Sequence, residues 1–197
     1  MDHIQPVALD KVFRFFSTGG IHLVSGRSGD DADAMPAAWV CPCALSRVTV
    51  MAAGHYTSRL IRESGFFGLA VPAARIVAET VKLGITSKKS LPNKIGASGA
   101  KLIPMGDENG TPLVDGCVAW AAFRVIPDEH VSKNYGLLIG EAVGAWADDR
   151  VFRTDRWLDP KDVPVELRPL FYSTGGQWYV QGEGIPLEVK GQTHPLA

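Results

Sequence analysis

The apolar residues of this chain arrive in short runs, and most runs are closed by glycine, proline or an acidic turn. IHLVSG (21–26) ends in GRSGDDAD, RVTVMAAG (47–54) closes on Gly54, and FFGLAV (66–71) stops at Pro72. Such runs have strand length and are too brief for most helices. VDGCVAWAAFRVI (114–126) is longer and alternates imperfectly, which suits a strand buried on one face. YGLLIGEAVGAWAD (135–148) reads as a strand with glycine kinks or as a helix. Gly136, Gly140 and Gly144 count against the helix at roughly 1 kcal/mol each relative to Ala, and they fit bends at a barrel corner. QWYVQGE (177–183) is a last short strand. Many short strands with interposed turns predict a closed β-barrel rather than an α/β sheet.

Two helices interrupt this pattern. TSRLIRES (57–64) has Thr57 as a suitable N-cap, Leu60 and Ile61 as an apolar face, and Gly65 as a stop. AARIVAETVKL (73–83) has Pro72 at its start, Ile76, Val77, Thr80 and Val81 at helical spacing, and Gly84 as its end. Residues 84–112 are rich in Gly, Ser, Lys and Pro, yet Ile95, Leu102 and Ile103 keep returning. That stretch is an excursion off the barrel, not a linker, so residues 1–197 read as a single domain. The length agrees, because about 100–200 residues make one domain. A net charge of −1 with no basic stripe disfavours nucleic acid as a partner. No apolar stretch reaches the ~18 residues of a spanning helix: Glu141, Arg75 and Glu79 break the most apolar ones. The start carries Asp2 and Asp10 and lacks a signal-peptide core. Three cysteines are few and odd in number, as in a reducing cytoplasm.

The motifs narrow the chemistry by exclusion first. There is no G-x-G-x-x-G opening a helix, no Walker loop and no G-x-S-x-G elbow. Cys41-Pro-Cys43 is one residue too short for a C-x-x-C redox or zinc pair, and Cys117 stands apart. All three are read as small buried apolar residues. No two histidines lie four residues apart. His55 is distinguished by its setting: Gly54-His55-Tyr56-Thr57-Ser58 joins a strand to a helix N-terminus. Free N–H groups, the positive dipole end and two hydroxyls make a physically sensible phosphate site there. Thr57 acting only as the helix cap is the commoner outcome of such spacing. Ala34-Met35-Pro36-Ala37-Ala38-Trp39 offers small residues beside polarisable Met and Trp, which suits either a flat ligand or a strand start with a core Trp.

Taken in order, these segments resemble the flavin reductase-like family of FMN-binding split-barrel proteins, with the flavoredoxin branch most similar. DADAMPAAWVCPCALSRVTVMA resembles the family's Asn-x-Met-Thr-Ala-Ala-Trp segment, and GHYTSRLIRESGFFGLAVP its Tyr-Thr helix and following strand. GITSKK...NK is similar to its Ser-Gly-Arg-Asp-x-Asp-Lys stretch, NYGLLIGEAVGAWADDRV to its Ile-Gly-Glu strand, and RPLFYSTGGQWYVQGE to its closing segment. The resemblance spans about residues 17–183. It implies a mainly β fold, a six-stranded antiparallel Greek-key split barrel with a few short helices, and a homodimer with FMN near the interface. It further implies that Met35, Pro36, Ala37, Ala38, Trp39, Val40 and Cys41 line the ring and ribityl chain. His55, Tyr56, Thr57 and Ser58 would hold the phosphate, with Ala53 beside them, and Ser87 and Lys94 lie near the flavin. Pro36 stands where the family has Thr, and Ser87-Lys88-Lys89-Ser90 replaces Ser-Gly-Arg-Asp. The expected activity is an NAD(P)H-dependent flavin reductase, with hydride transfer to flavin N5 and electrons passed to flavin or a redox protein. The alternative is an FMN-binding electron-transfer protein that NAD(P)H does not reduce directly. No side-chain acid or base is expected to be catalytic.

Overall fold

A computed structural model describes residues 2–51, 54–105, 107, 109–173 and 175–183. A short strand β1 (Ile4–Pro6) and a one-turn helix α1 (Phe13–Phe16) lead into the hairpin of β2 (His22–Ser28) and β3 (Asp31–Ala37). A second hairpin, β4 (Val40–Ala44) and β5 (Arg47–Met51), follows after Ala38 and Trp39. Helix α2 (Tyr56–Ser64) returns the chain to β6 (Phe66–Pro72). Helices α3 (Val77–Ile85) and α4 (Lys94–Ser98) and the small hairpin β7 (Leu102–Ile103) with β8 (Leu113–Val114) form the excursion. Strand β9 (Cys117–Ile126), helix α5 (Glu129–Tyr135) and strand β10 (Leu137–Asp148) come next. Two hairpins end the described chain: β11 (Phe152–Arg153) with β12 (Arg156–Trp157), and β13 (Leu170–Ser173) with β14 (Gln177–Val180).

The main sheet has eight strands, not the six expected, and its pairs are antiparallel. Its path runs β3-β2-β6-β9-β10-β5-β4, with β1 added to β10. One of the added strands is β1: β10 is twelve residues long, so Leu137–Glu141 pairs with β5 and Trp146–Asp148 pairs with β1 along the same flank. The two ends of the path, β3 and β4, are consecutive in the chain. The sheet therefore curls until its ends meet at Ala38–Trp39, but no ladder joins them among the described residues. The barrel is open, not closed as the strand count suggested. Both end strands carry a proline, Pro36 in β3 and Pro42 in β4, which sheets tolerate at edges.

Of residues 135–148, Leu137–Asp148 form the strand, while Tyr135 ends helix α5 and Gly136 caps it. A Cβ on Gly140 would meet Phe67 Cζ at 2.3 Å, so glycine lets the Phe67 ring lie on the sheet. There Phe67 stacks on Phe123 at 5.1 Å and 14°, a pair worth about 1 kcal/mol beyond its buried area. Phe15 meets Phe152 edge-on at 5.0 Å. These rings anchor the core inside the curled sheet. A second apolar cluster of Leu23, Leu83, Leu113 and Trp120 packs the excursion onto the sheet, and Trp120 Nε1 donates to the Val114 carbonyl at 2.8 Å.

Several expectations are corrected. The turn in GRSGDDAD is confined to Gly29 and Asp30, and Asp31 and Asp33 lie inside β3. Helix α3 starts at Val77 after a 3-10 turn and continues through Gly84 to Ile85. Cys41 and Cys43 are exposed on the end strand β4, and only Cys117 is buried. Among the described residues, no helix is long and apolar enough to cross a membrane, and no group of three or more potential ligands could hold a metal.

Candidate functional site

A cleft of about 210 Å³ lies where β3, the start of α2 and the end of α3 converge. Each wall has a local cause. Strand β3 presents Asp33 and Met35, two positions apart and so on one face. Pro36 fits in β3 because that strand pairs on one side only, with β2. The α3 wall reaches β3 closely because residue 84 is glycine: a Cβ there would meet Pro36 Cγ at 2.9 Å. Pro36, Gly84 and Ile85 also line an adjoining groove of about 380 Å³, whose remaining walls include Ala38, Val81, Tyr172 and Trp178. A polar cleft thus opens sideways into an apolar, aromatic-walled groove with no charged lining residue among those described.

The N-terminus of α2 faces the polar cleft. His55, not Thr57, is its N-cap residue, extended at φ −83°, and no side chain caps the helix. Ser58 donates back to the His55 carbonyl at 2.7 Å. Thr57 points elsewhere: its hydroxyl donates to Asp33 Oδ2 at 2.7 Å. Asp33 in turn pairs with Lys94, whose Nζ lies 3.2 Å from Oδ1. Only 1% of the Asp33 side chain and 3% of the Lys94 side chain are exposed. A buried ion pair of this kind is expensive to desolvate and rests on the extra hydrogen bond that Thr57 supplies.

A second carboxylate works at the rim. Asp31 accepts from Lys88 Nζ at 2.5 Å, from Arg59 at 3.1 Å and from the Tyr56 hydroxyl. Lys88 also donates to the Ala32 carbonyl at 2.7 Å, and the Arg59 guanidinium lies 4.6 Å from the Tyr56 ring centroid. Burial alone would raise the Asp31 carboxyl. The hydrogen bonds from Lys88 and Tyr56, with the nearby cationic charges, outweigh it and hold the pKa below the usual carboxylate range. The Tyr56 hydroxyl is correspondingly raised, first by its bond to Asp31.

The structure brings Met35, Pro36, His55, Tyr56, Thr57, Ser87 and Lys94 to this one cleft and sets Ala38 in the adjoining groove. The others lie off it. Ala37 joins the core, and Val40 packs against it. Trp39 is 71% exposed, Cys41 is exposed on β4, and Ser58 is buried in the first turn of α2. Ala53 lies outside the described residues. Asp31, Asp33, Arg59 and Lys88 are not among the site residues expected from the sequence, although Lys88 belongs to the altered 87–90 stretch. The alternation of Asp31 and Asp33 was the available signal, hidden by the turn-like composition around it.

A family model described as "Flavin reductase like domain" matches residues 14–178. An uncharacterized protein of Escherichia coli K12, YddH, is 28% identical over 191 residues, covering 94% of this chain and 98% of its own. Among solved structures, an FMN-binding domain of a flavin reductases-like enzyme from Shewanella baltica OS155 is 34% identical. It superposes with a TM-score of 0.88 over 94% of this chain and 97% of that one. The flavoredoxin of Desulfovibrio vulgaris (Miyazaki F), 23% identical, shares the fold at a TM-score of 0.71 over 88% and 92% of the two chains. Since the family model spans most of the sequence and includes every described residue that lines the cleft, the chain belongs to the flavin reductase-like domain family.

Proposed function

We propose that this protein is an FMN-binding oxidoreductase of the flavin reductase type. The observation that carries the reading is the junction of two unlike spaces. A polar cleft with an uncapped helix N-terminus and two lysines opens through Pro36, Gly84 and Ile85 into an apolar groove. FMN has the matching asymmetry, an anionic phosphate at one end and a flat ring at the other. The first-turn N–H groups of α2, with His55 and Lys88, would hold the phosphate. Met35, Pro36 and Ala38 would face the ring, and Gly84 would let α3 approach it. Bound there, FMN would accept a hydride from NAD(P)H and release the electrons to flavin or a redox protein. The chain's own residues bind and orient, exclude water from the groove, and transfer no proton. A homodimer belongs to the same proposal, supported by Trp39 and Ile85, which are 71% and 79% exposed.

The test is a visible spectrum of the protein mixed with FMN, followed by anaerobic NADH and NADPH. Bound flavin whose band near ~450 nm bleaches with either nucleotide supports the reductase. Bound flavin that bleaches only with dithionite replaces it with an electron-transfer protein. A protein that leaves FMN unbound overturns both.

A further inference from the structure

Each lysine that faces the cleft is already matched by an aspartate of β3. Lys94 is paired with Asp33 and Lys88 with Asp31. Asp31 and Asp33 alternate along one strand, so both carboxylates come from one face and hold two cations delivered from the segment after α3. The four charges cancel. The two pairs are not equivalent, however. Asp33 and Lys94 are sealed, whereas Lys88 is 17% and Asp31 32% exposed, and Asp31 also draws on Tyr56 and Arg59. Tyr56 and Lys88 both line the cleft, while Asp31 stands behind them. A phosphate arriving at α2 therefore meets Lys88 only in competition with a resident carboxylate.

We propose that Asp31 is an affinity-setting residue: by holding Lys88 it weakens the cleft's grip on a ligand phosphate, so that flavin exchanges instead of staying bound. This inference rests on the flavin reading above and fixes the terms on which flavin is held. Asp31 acts through Lys88 and is a positioning residue, not a catalytic one. The opposite role is equally definite. If Asp31 served to aim Lys88 at the phosphate, its loss would weaken binding.

The experiment measures dissociation constants for FMN, riboflavin and inorganic phosphate by fluorescence and competition, on the full chain. The proteins are wild type, Asp31→Asn, and the charge-balanced double variant Asp31→Asn/Lys88→Met. The expected result for Asp31→Asn is FMN and phosphate binding tightened by roughly 3- to 10-fold, as a freed cation gains a charge-assisted bond. Riboflavin, which lacks the phosphate, should not change. The double variant should return FMN to within about twofold of wild type, since a self-neutral pair has been removed. Unchanged or weakened FMN binding in Asp31→Asn overturns the proposal, as does a gain that survives in the double variant. Asp31→Ser repeats the test should the Asn variant lose its fold. Wild type that binds neither flavin refutes the flavin reading itself, a result distinct from any of these.

Discussion

His22 should make this protein lose stability in mild acid. It lies in β2, fully buried against Phe16 at a ring distance of 5.1 Å, and neither ring nitrogen makes a well-formed hydrogen bond among the described residues. Burial drives its pKa from the ordinary 6.5 down to about 4, an effect the Phe15 carbonyl opposes only in part. The sign follows directly. Between these values the unfolded chain takes up a proton that the folded chain refuses, so stability falls as pH falls. At about 1.4 kcal/mol per tenfold change in proton affinity, the full effect below pH ~4 is about 3 kcal/mol. Going from about pH 7.5 to about pH 5, about 2 kcal/mol of this is expressed. His22→Leu keeps a side chain of similar bulk and cannot titrate. Urea unfolding at the two pH values should show wild type losing about 2 kcal/mol more than the variant across the interval. Parallel losses in the two proteins would refute the reasoning, because they would mean that His22 charges as readily folded as unfolded.

Other perturbations test the site and its supports. Lys94→Met strands the buried Asp33 carboxylate and should cost about 3–5 kcal/mol in chemical denaturation, with part recovered in Asp33→Asn/Lys94→Met. Thr57→Ala removes a hydrogen bond to the same carboxylate and should cost about 2 kcal/mol, whereas Thr57→Ser should retain most of it. Gly84→Ala places a methyl 2.9 Å from Pro36 Cγ, so α3 must move away from β3. The expected outcome is about 1–2 kcal/mol of lost stability and weaker FMN binding by fluorescence titration. A thiol reagent should label Cys41 and Cys43 rapidly in the folded protein and reach Cys117 only on unfolding, since burial keeps that thiol inaccessible and pushes its pKa well up.

What the sequence shows and what it hides divide along physical lines. Strands β2, β5, β6, β9 and β10 are legible because their apolar runs and closing turns are local signals. Gly140 and Gly144 lie in strand as argued, whereas Gly136 takes a left-handed conformation and caps α5. The turn Gly54–Ser58 is legible as a helix start for the same reason, and the structure places its His55, Tyr56 and Thr57 on the cleft. The misreadings share a different cause. Asp31 and Asp33 have turn composition, yet their partners Lys88 and Lys94 lie 57 and 61 residues away, beyond any local pattern. Thr57 has cap composition, but its hydroxyl donates to a buried carboxylate instead. Gly84 has stop composition, but contact with Pro36 gives it a place inside α3. Cys41 and Cys43 look like core residues only until β4 is known to be an end strand.

The open barrel carries a hazard that a closed one avoids, because an unpaired strand flank is a template for a strand from another molecule. Pro36 and Pro42 stand on the two strands where that hazard lies. A proline admitted to a ladder turns its nitrogen away from the partner, so it deletes a donor from the open flank. Pro42 adjoins a register break in the β4–β5 pairing, and such irregularities also spoil an edge as a template. Pro36 thus has a second consequence: it guards the end of the sheet beside the cleft against unwanted strand addition. Restoring a donor there with Pro36→Thr should make the protein more prone to self-association on heating, which light scattering would reveal.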